Sequence, residues 1–227
     1  MDNARAVKLR IRQAAFALAE RMAWNKIGMG AIARQAELSL PQLLQHAPSK
    51  AAIIEDFARD IDQAMLLVFE KHPAEGEAHD RLFDVMLKRL EILAPYKYVV
   101  ESILKGMRAE PTESLRLVQS ATDSVSWMIS AARVEEEPAW QGYGRLGLLR
   151  LYLRILPIWT KDDAGMARSM AALDRGLRDL VRFKTRADGM MAMAWAFGAG
   201  LGRLAQSFFE ERKTDEHRQD EQRDQLR

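Results

Sequence analysis

A chain of 227 residues with 48% hydrophobic and 29% charged residues has the make-up of a folded globular protein, with room for one large domain or a small one joined to a larger. It has no cysteine, which excludes disulfides, thiolate metal sites and thiol catalysis. The net charge of +2 conceals an asymmetry: residues 1–50 hold eight Lys or Arg against three acidic residues, a net of +5, and the remainder sums to −3. Such a basic head is the electrostatic footprint of phosphate binding.

The chain begins MDNARAVKLRIRQ, basic but without the apolar core and small-residue cleavage site of a secretory signal, so a cytoplasmic location is expected. Apolar residues then recur at three and four spacing over 7–22 (Val7, Ile11, Ala14, Ala15, Leu18, Met22), which predicts an amphipathic helix. Residues 31–50, AIARQAELSLPQLLQHAPSK, predict a helix, a tight turn and a second short helix. The helical period returns in 51–69 (Ile53, Ile54, Phe57, Ile61, Met65, Val68) and in 82–93 (Leu82, Val85, Met86, Leu90, Leu93). Breaks are expected at Pro48, His72 to Glu77, Pro95, Pro111 and Pro138. Nothing alternates with period two between paired turn signals, so the fold class is all-α. The last residues, 210–227, form a polar, charge-biased end.

Several patterns carry less than their spelling suggests. Gly142, Gly144 and Gly147 spell G-x-G-x-x-G, but no strand feeds them, and a dinucleotide site needs one. His72 and His79 stand seven apart, in what reads as a loop, without a third ligand, so no metal is expected. No Ser-His-Asp or paired-carboxylate arrangement can be assembled, so no catalytic residue, cofactor or enzyme activity is assigned.

Residues 10–54 resemble the N-terminal domain of the tetracycline-repressor (TetR) family of transcriptional regulators. The resemblance runs through Ala14, Ala15, Leu18, Ala19, Glu20, Trp24, Met29, Ile32, Ala33, Ala36, Leu38, Ser39 and Leu43 to the signature Pro48-Ser49-Lys50. It implies a helix-turn-helix with Ile32, Ala33, Ala36, Leu38 and Leu43 as its core and Ser49 as a helix cap. The departures are specific. Glu37 stands where the turn usually has glycine, Gly28 and Gly30 flank Met29, and Leu40-Pro41-Gln42 replace the polar start of the reading helix. Leu44 and Ala47 stand where the family often has tyrosine and phenylalanine. The residues left for DNA contact are Ser39, Gln42, Gln45, His46 and Lys50, with the glutamines suited to adenine edges and Lys50 to a phosphate.

A second resemblance lies in the body. Trp127, Trp140, Tyr143, Arg145, Tyr152 and the stretch WTKDDAGMARSMAALDRGL, with Trp159, Asp162, Asp163, Met170 and Leu173-Asp174-Arg175, look like the TetR-like lipid-binding accessory proteins of ubiquinone biosynthesis. The uncharged run 189–202, GMMAMAWAFGAGLG, is too short to span a bilayer. It suits half of a homodimer interface, or a membrane-surface contact through Trp195 and Phe197. Met65, Phe69, Phe83, Met86, Leu90, Met107, Trp127, Met128 and Trp159 make a Met and aromatic inventory suited to an apolar ligand cavity. No buried charge is evident to orient that ligand.

The expected organisation is a helix-turn-helix head at 1–50, a helical ligand-binding and dimerisation body at 51–212, and a polar tail at 213–227. The expected function is a repressor that leaves its palindromic operator when an apolar small molecule binds. The alternative is a lipid- or quinone-precursor-binding protein without DNA activity.

Overall fold

The computed structural model describes residues 2–106, 111–137 and 143–182, and no strand occurs among them. In chain order they form α1 (Asp2–Ala19), α2 (Met29–Gln35), α3 (Leu40–His46), α4 (Lys50–Lys71), α5 (Ala78–Leu93), α6 (Lys97–Gly106), α7 (Pro111–Ala131) and α8 (Tyr143–Trp159), with α9 over 167–182. Two compact units divide the chain, Met1–Leu180 and Val181–Arg227. Met107, Pro138, Trp140, Gly142, the run 189–202 and the tail 213–227 lie outside the described residues.

Helix ends fall where local chemistry places them. Ser49 caps α4 by accepting a hydrogen bond from the Ala52 backbone N–H at 3.1 Å. Pro111 opens α7, where its missing N–H leaves no intrahelical bond unmade, and Pro95 sits in the 3-10 turn Ala94–Tyr96. His79, read from sequence as a loop residue, instead lies in the first turn of α5; the loop ends at Glu77.

The head is built from α1, α2 and α3 around Ile11, Ala15, Ile32, Ala33, Ala36 and Leu43, all buried. The α2–α3 turn is closed by the Leu38 N–H donating to the Ala33 carbonyl at 2.9 Å. That turn needs a left-handed residue, and Glu37 supplies it at φ 54°. A non-glycine side chain in that region carries strain of about 1 kcal/mol or more. Glu37→Gly is therefore expected to raise stability by up to about 1 kcal/mol, less the chain entropy that glycine brings. Urea unfolding with a higher midpoint at unchanged slope checks this.

Helix α4 opens at Lys50, at the boundary expected between residues 50 and 51, and its side chains pack against α1. Phe16 of α1, Phe57 of α4 and Tyr96 meet edge to face, with ring centroids 4.8 to 5.8 Å apart. The Trp24 backbone N–H donates to Ser102 Oγ of α6 at 3.0 Å. Farther along the body, α8 and α9 exchange side chains reciprocally. Leu180 seats on Gly147, where a Cβ would lie 2.6 Å from it, and Leu151 seats on Gly176 just as closely. The last glycine of the G-x-G-x-x-G spelling thus serves close helix packing.

Candidate functional site

Helix α3 is short and its start is tied. Ser39 Oγ accepts from the Gln42 backbone N–H at 3.4 Å, and Gln42 Oε1 accepts from the Ser39 N–H at 2.9 Å. This reciprocal capping box satisfies two backbone donors at once. Gln42 is exposed, and its carbonyl oxygen uses one of its two acceptor positions on the helix end, which leaves the other and the amide N–H groups for an outside partner. Gln45 is exposed one turn on, on the same side as Gln42. Leu40 and Leu44 are 58% and 64% exposed beside them, so the outward face of α3 is largely apolar.

The cations are divided between structure and surface. Lys50 donates to the Trp24 carbonyl at 3.2 Å, with its ammonium 5.9 Å from that ring's centroid, so it clasps the head rather than standing clear on the reading face. His46 is half-buried in a hollow beside Lys8, Ala52 and Asp56. Lys8 pairs with Asp56 at 3.0 Å and Arg12 with Asp60 at 2.5 Å, joining α1 to α4. Arg5, Arg10, Arg21, Lys26 and Arg34 are exposed and make no ion pair among the described residues.

An apolar cavity of about 100 Å3 opens between α4, α5, α6, α7 and α8. Phe57, Leu93, Ile103, Leu117 and Leu156 supply its apolar wall, and Arg89, Ser124 and Tyr152 its polar end. Arg89 is 3% exposed. Its Nε donates to Asp62 Oδ1 at 2.7 Å, its Nη2 to Ser124 Oγ at 2.9 Å, and its Nη1 to Tyr152 Oη. Ser124 Oγ in turn donates to Asp62 Oδ2 at 2.7 Å. Burial alone would lower the Arg89 pKa, yet its Tyr152 and Asp62 partners outweigh burial and hold it above its ordinary value. Burial likewise pushes the Tyr152 hydroxyl up, against the pull of Arg89, so it stays a neutral donor.

This cavity is not made of the residues the sequence suggested. Met65, Met86, Leu90, Met128 and Trp159 are buried to 2% exposure or less in the filled core. Phe69 and Phe83 pack half-buried against it. Trp127 is 51% exposed and faces an outer groove with Glu55, Arg59 and Asp123. Flexible and aromatic side chains close gaps rather than leave them, which is why such an inventory marks core as readily as cavity. The buried charge that sequence reading did not find is Arg89 with Asp62. The signal was present, because Leu82, Val85, Met86, Arg89 and Leu93 share one helical stripe, as do Ile54, Phe57, Ile61, Asp62 and Met65.

The WTKDD segment has a local structural role. Asp162 is buried and accepts from the Ser169 N–H and Oγ, both at 2.7 Å, and from Arg168 Nε at 3.1 Å. The Ser169 bonds, foremost, hold its carboxyl well below the usual carboxylate range, and they anchor the start of α9. Asp174 pairs with Arg178 one turn on at 2.6 Å, with Leu173 buried beneath.

No protein-family model matches the sequence, and no curated protein matches it. The structure, by contrast, resembles solved ones. A TetR transcriptional regulator from Nitrosomonas europaea ATCC 19718 aligns over 76% of this chain and 97% of its own, at 20% identity and a TM-score of 0.60. One from Rhodococcus sp. RHA1 aligns over 78% and 96%, at 17% identity and a TM-score of 0.57. A TetR-family regulator from Streptomyces coelicolor aligns over 82% and 88%, at 16% identity and a TM-score of 0.50. The all-helical fold is therefore that of the TetR regulators.

Proposed function

We propose that a chain with this fold is a transcriptional regulator: a cytoplasmic homodimer that binds a palindromic DNA operator and leaves it when a small, mainly apolar molecule enters the body. The observation that supports this best is the continuity of α4, whose first residue, Lys50, clasps the head while its middle, from Ile54 to Ala58, lines the cavity. An occupant that shifts α4 changes the placement of the head. Two heads must meet successive major grooves about 34 Å apart, so a change in their separation weakens binding. In this reading the run 189–202 pairs the two copies.

Gln45 and the exposed Arg5, Arg10, Arg21, Lys26 and Arg34 are the contacts best placed for DNA. Ser39 and Gln42 join them with the hydroxyl proton and amide N–H groups that the capping box leaves unused, and Lys50 and His46 act by holding the frame. Duplex DNA from beside the protein's own gene should be bound in preference to random duplex. Gln45→Ala removes one base contact from each half-site and should reduce that preference by about thirtyfold or more, the worth of two such contacts, while leaving binding to random DNA unchanged. Fluorescence anisotropy with both duplexes reads the two effects separately.

The exposed Leu40 and Leu44 favour one second reading, a lipid- or quinone-precursor-binding protein without DNA activity. It predicts no operator preference at low salt, and sedimentation with liposomes that is lost on Trp195→Ser and Phe197→Ser. That pair of results would replace the regulator reading.

A further inference from the structure

We infer that the occupant of the α4–α8 cavity is a neutral molecule with one small apolar ring or chain end and a carbonyl oxygen, which is held by Tyr152 and Arg89. The inference rests on the ligand-responsive reading above and narrows its ligand from apolar to carbonyl-bearing and uncharged. Three observations carry it.

The first is the donor count at the polar end. A guanidinium has five N–H groups, and Arg89 uses one toward each of Asp62, Tyr152 and Ser124. Tyr152 Oη accepts from Arg89, which leaves the hydroxyl's own proton to give. Ser124 has already donated its proton to Asp62. The unspent capacity of Arg89 and Tyr152 is therefore for donating, and a ligand oxygen that accepts is its complement.

The second is charge. Asp62 lies 2.7 Å from Arg89 and already neutralises it. A carboxylate brought into this apolar wall adds an uncompensated negative charge, which burial penalises heavily. A carbonyl accepts the same hydrogen bonds and adds no charge. The third is size: about 100 Å3 is less than the roughly 150 Å3 that holds benzene in an engineered core, so one small ring or the end of a longer molecule fits.

The test uses three probes no larger than benzene: cyclobutanone, its isostere methylenecyclobutane, which lacks the acceptor, and the cyclopropanecarboxylate anion. Each is titrated into the full-length protein while the methyl NMR signals of Leu93, Ile103 and Leu156 are followed. Cyclobutanone should bind about three- to tenfold tighter than methylenecyclobutane, the worth of one net hydrogen bond, and tighter than the carboxylate. Tyr152→Phe should bring the ketone down toward the alkene and leave the alkene unchanged. The ranking in the unmodified protein decides even where that variant folds poorly. An alkene that binds as well as the ketone, a carboxylate that binds better, or no methyl shift with any probe at millimolar concentration overturns the inference. DNA takes no part in the titration, so failure of operator binding leaves the ranking standing. An intact operator response with the wrong ranking overturns the ligand chemistry alone.

Discussion

Arg89→Met is expected to lower the stability of the protein by about 3–5 kcal/mol, the usual cost of leaving one charge of a buried pair without its partner. Asp62 is 5% exposed, and both its carboxylate oxygens are directed to Arg89 and Ser124. Without the guanidinium it must be protonated, find water or break the α4–α7 packing. The asymmetry makes the test specific. Asp62→Leu combined with Arg89→Met removes both charges and should recover most of the loss, because apolar groups of similar volume replace buried pairs at little cost. Urea unfolding of the three variants beside the unmodified protein measures it. A single variant that loses less than about 1 kcal/mol, the worth of an exposed pair, would show that the pair is solvated.

Operator binding is expected to fall steeply with salt. Lys8, Arg12 and Lys50 are committed within the protein, so in the proposed reading the phosphate contacts are left to the five exposed cations of the head. With two to three such contacts per head, a dimer releases about four to six counterions. Raising salt from about 50 mM to about 200 mM should then weaken binding on the order of a hundredfold to a thousandfold. Arg34→Ala should flatten the slope by about one contact per head if Arg34 meets a phosphate. A slope near zero would mean that the head does not meet DNA through its charge.

The sequence and the structure agree where a regular period carries the information. The stripes of α1, α4 and α5 were readable because burial selects residues at three and four spacing, and the Ser49 cap because a short side-chain oxygen reaches the third N–H. Glu37 was readable as a misfit because a left-handed turn is local geometry. The cavity was not, because whether a stripe is filled or hollow depends on how five helices meet. Met65 and Leu93 are alike in pattern, yet one closes the core and the other lines the hole. Likewise nothing local shows that Lys50 would turn to the Trp24 carbonyl across the head, 26 positions away in the chain.

In the proposed reading, the capping box at the start of α3 limits how selective the protein is along a chromosome. Gln42 holds its own helix end, and opening that box costs about 1 kcal/mol, the worth of a typical cap. A base contact by the same side chain returns about 1–3 kcal/mol, so where the box opens the discrimination left at that position is at most about 2 kcal/mol. In that reading recognition falls mainly on Gln45 and on the bendability of the duplex, which together define a short and permissive word. A genome holds on the order of a million or more competing positions. A protein that reads such a word spends most of its time on near matches, and its copy number, as much as its fit, decides whether any one gene is silent.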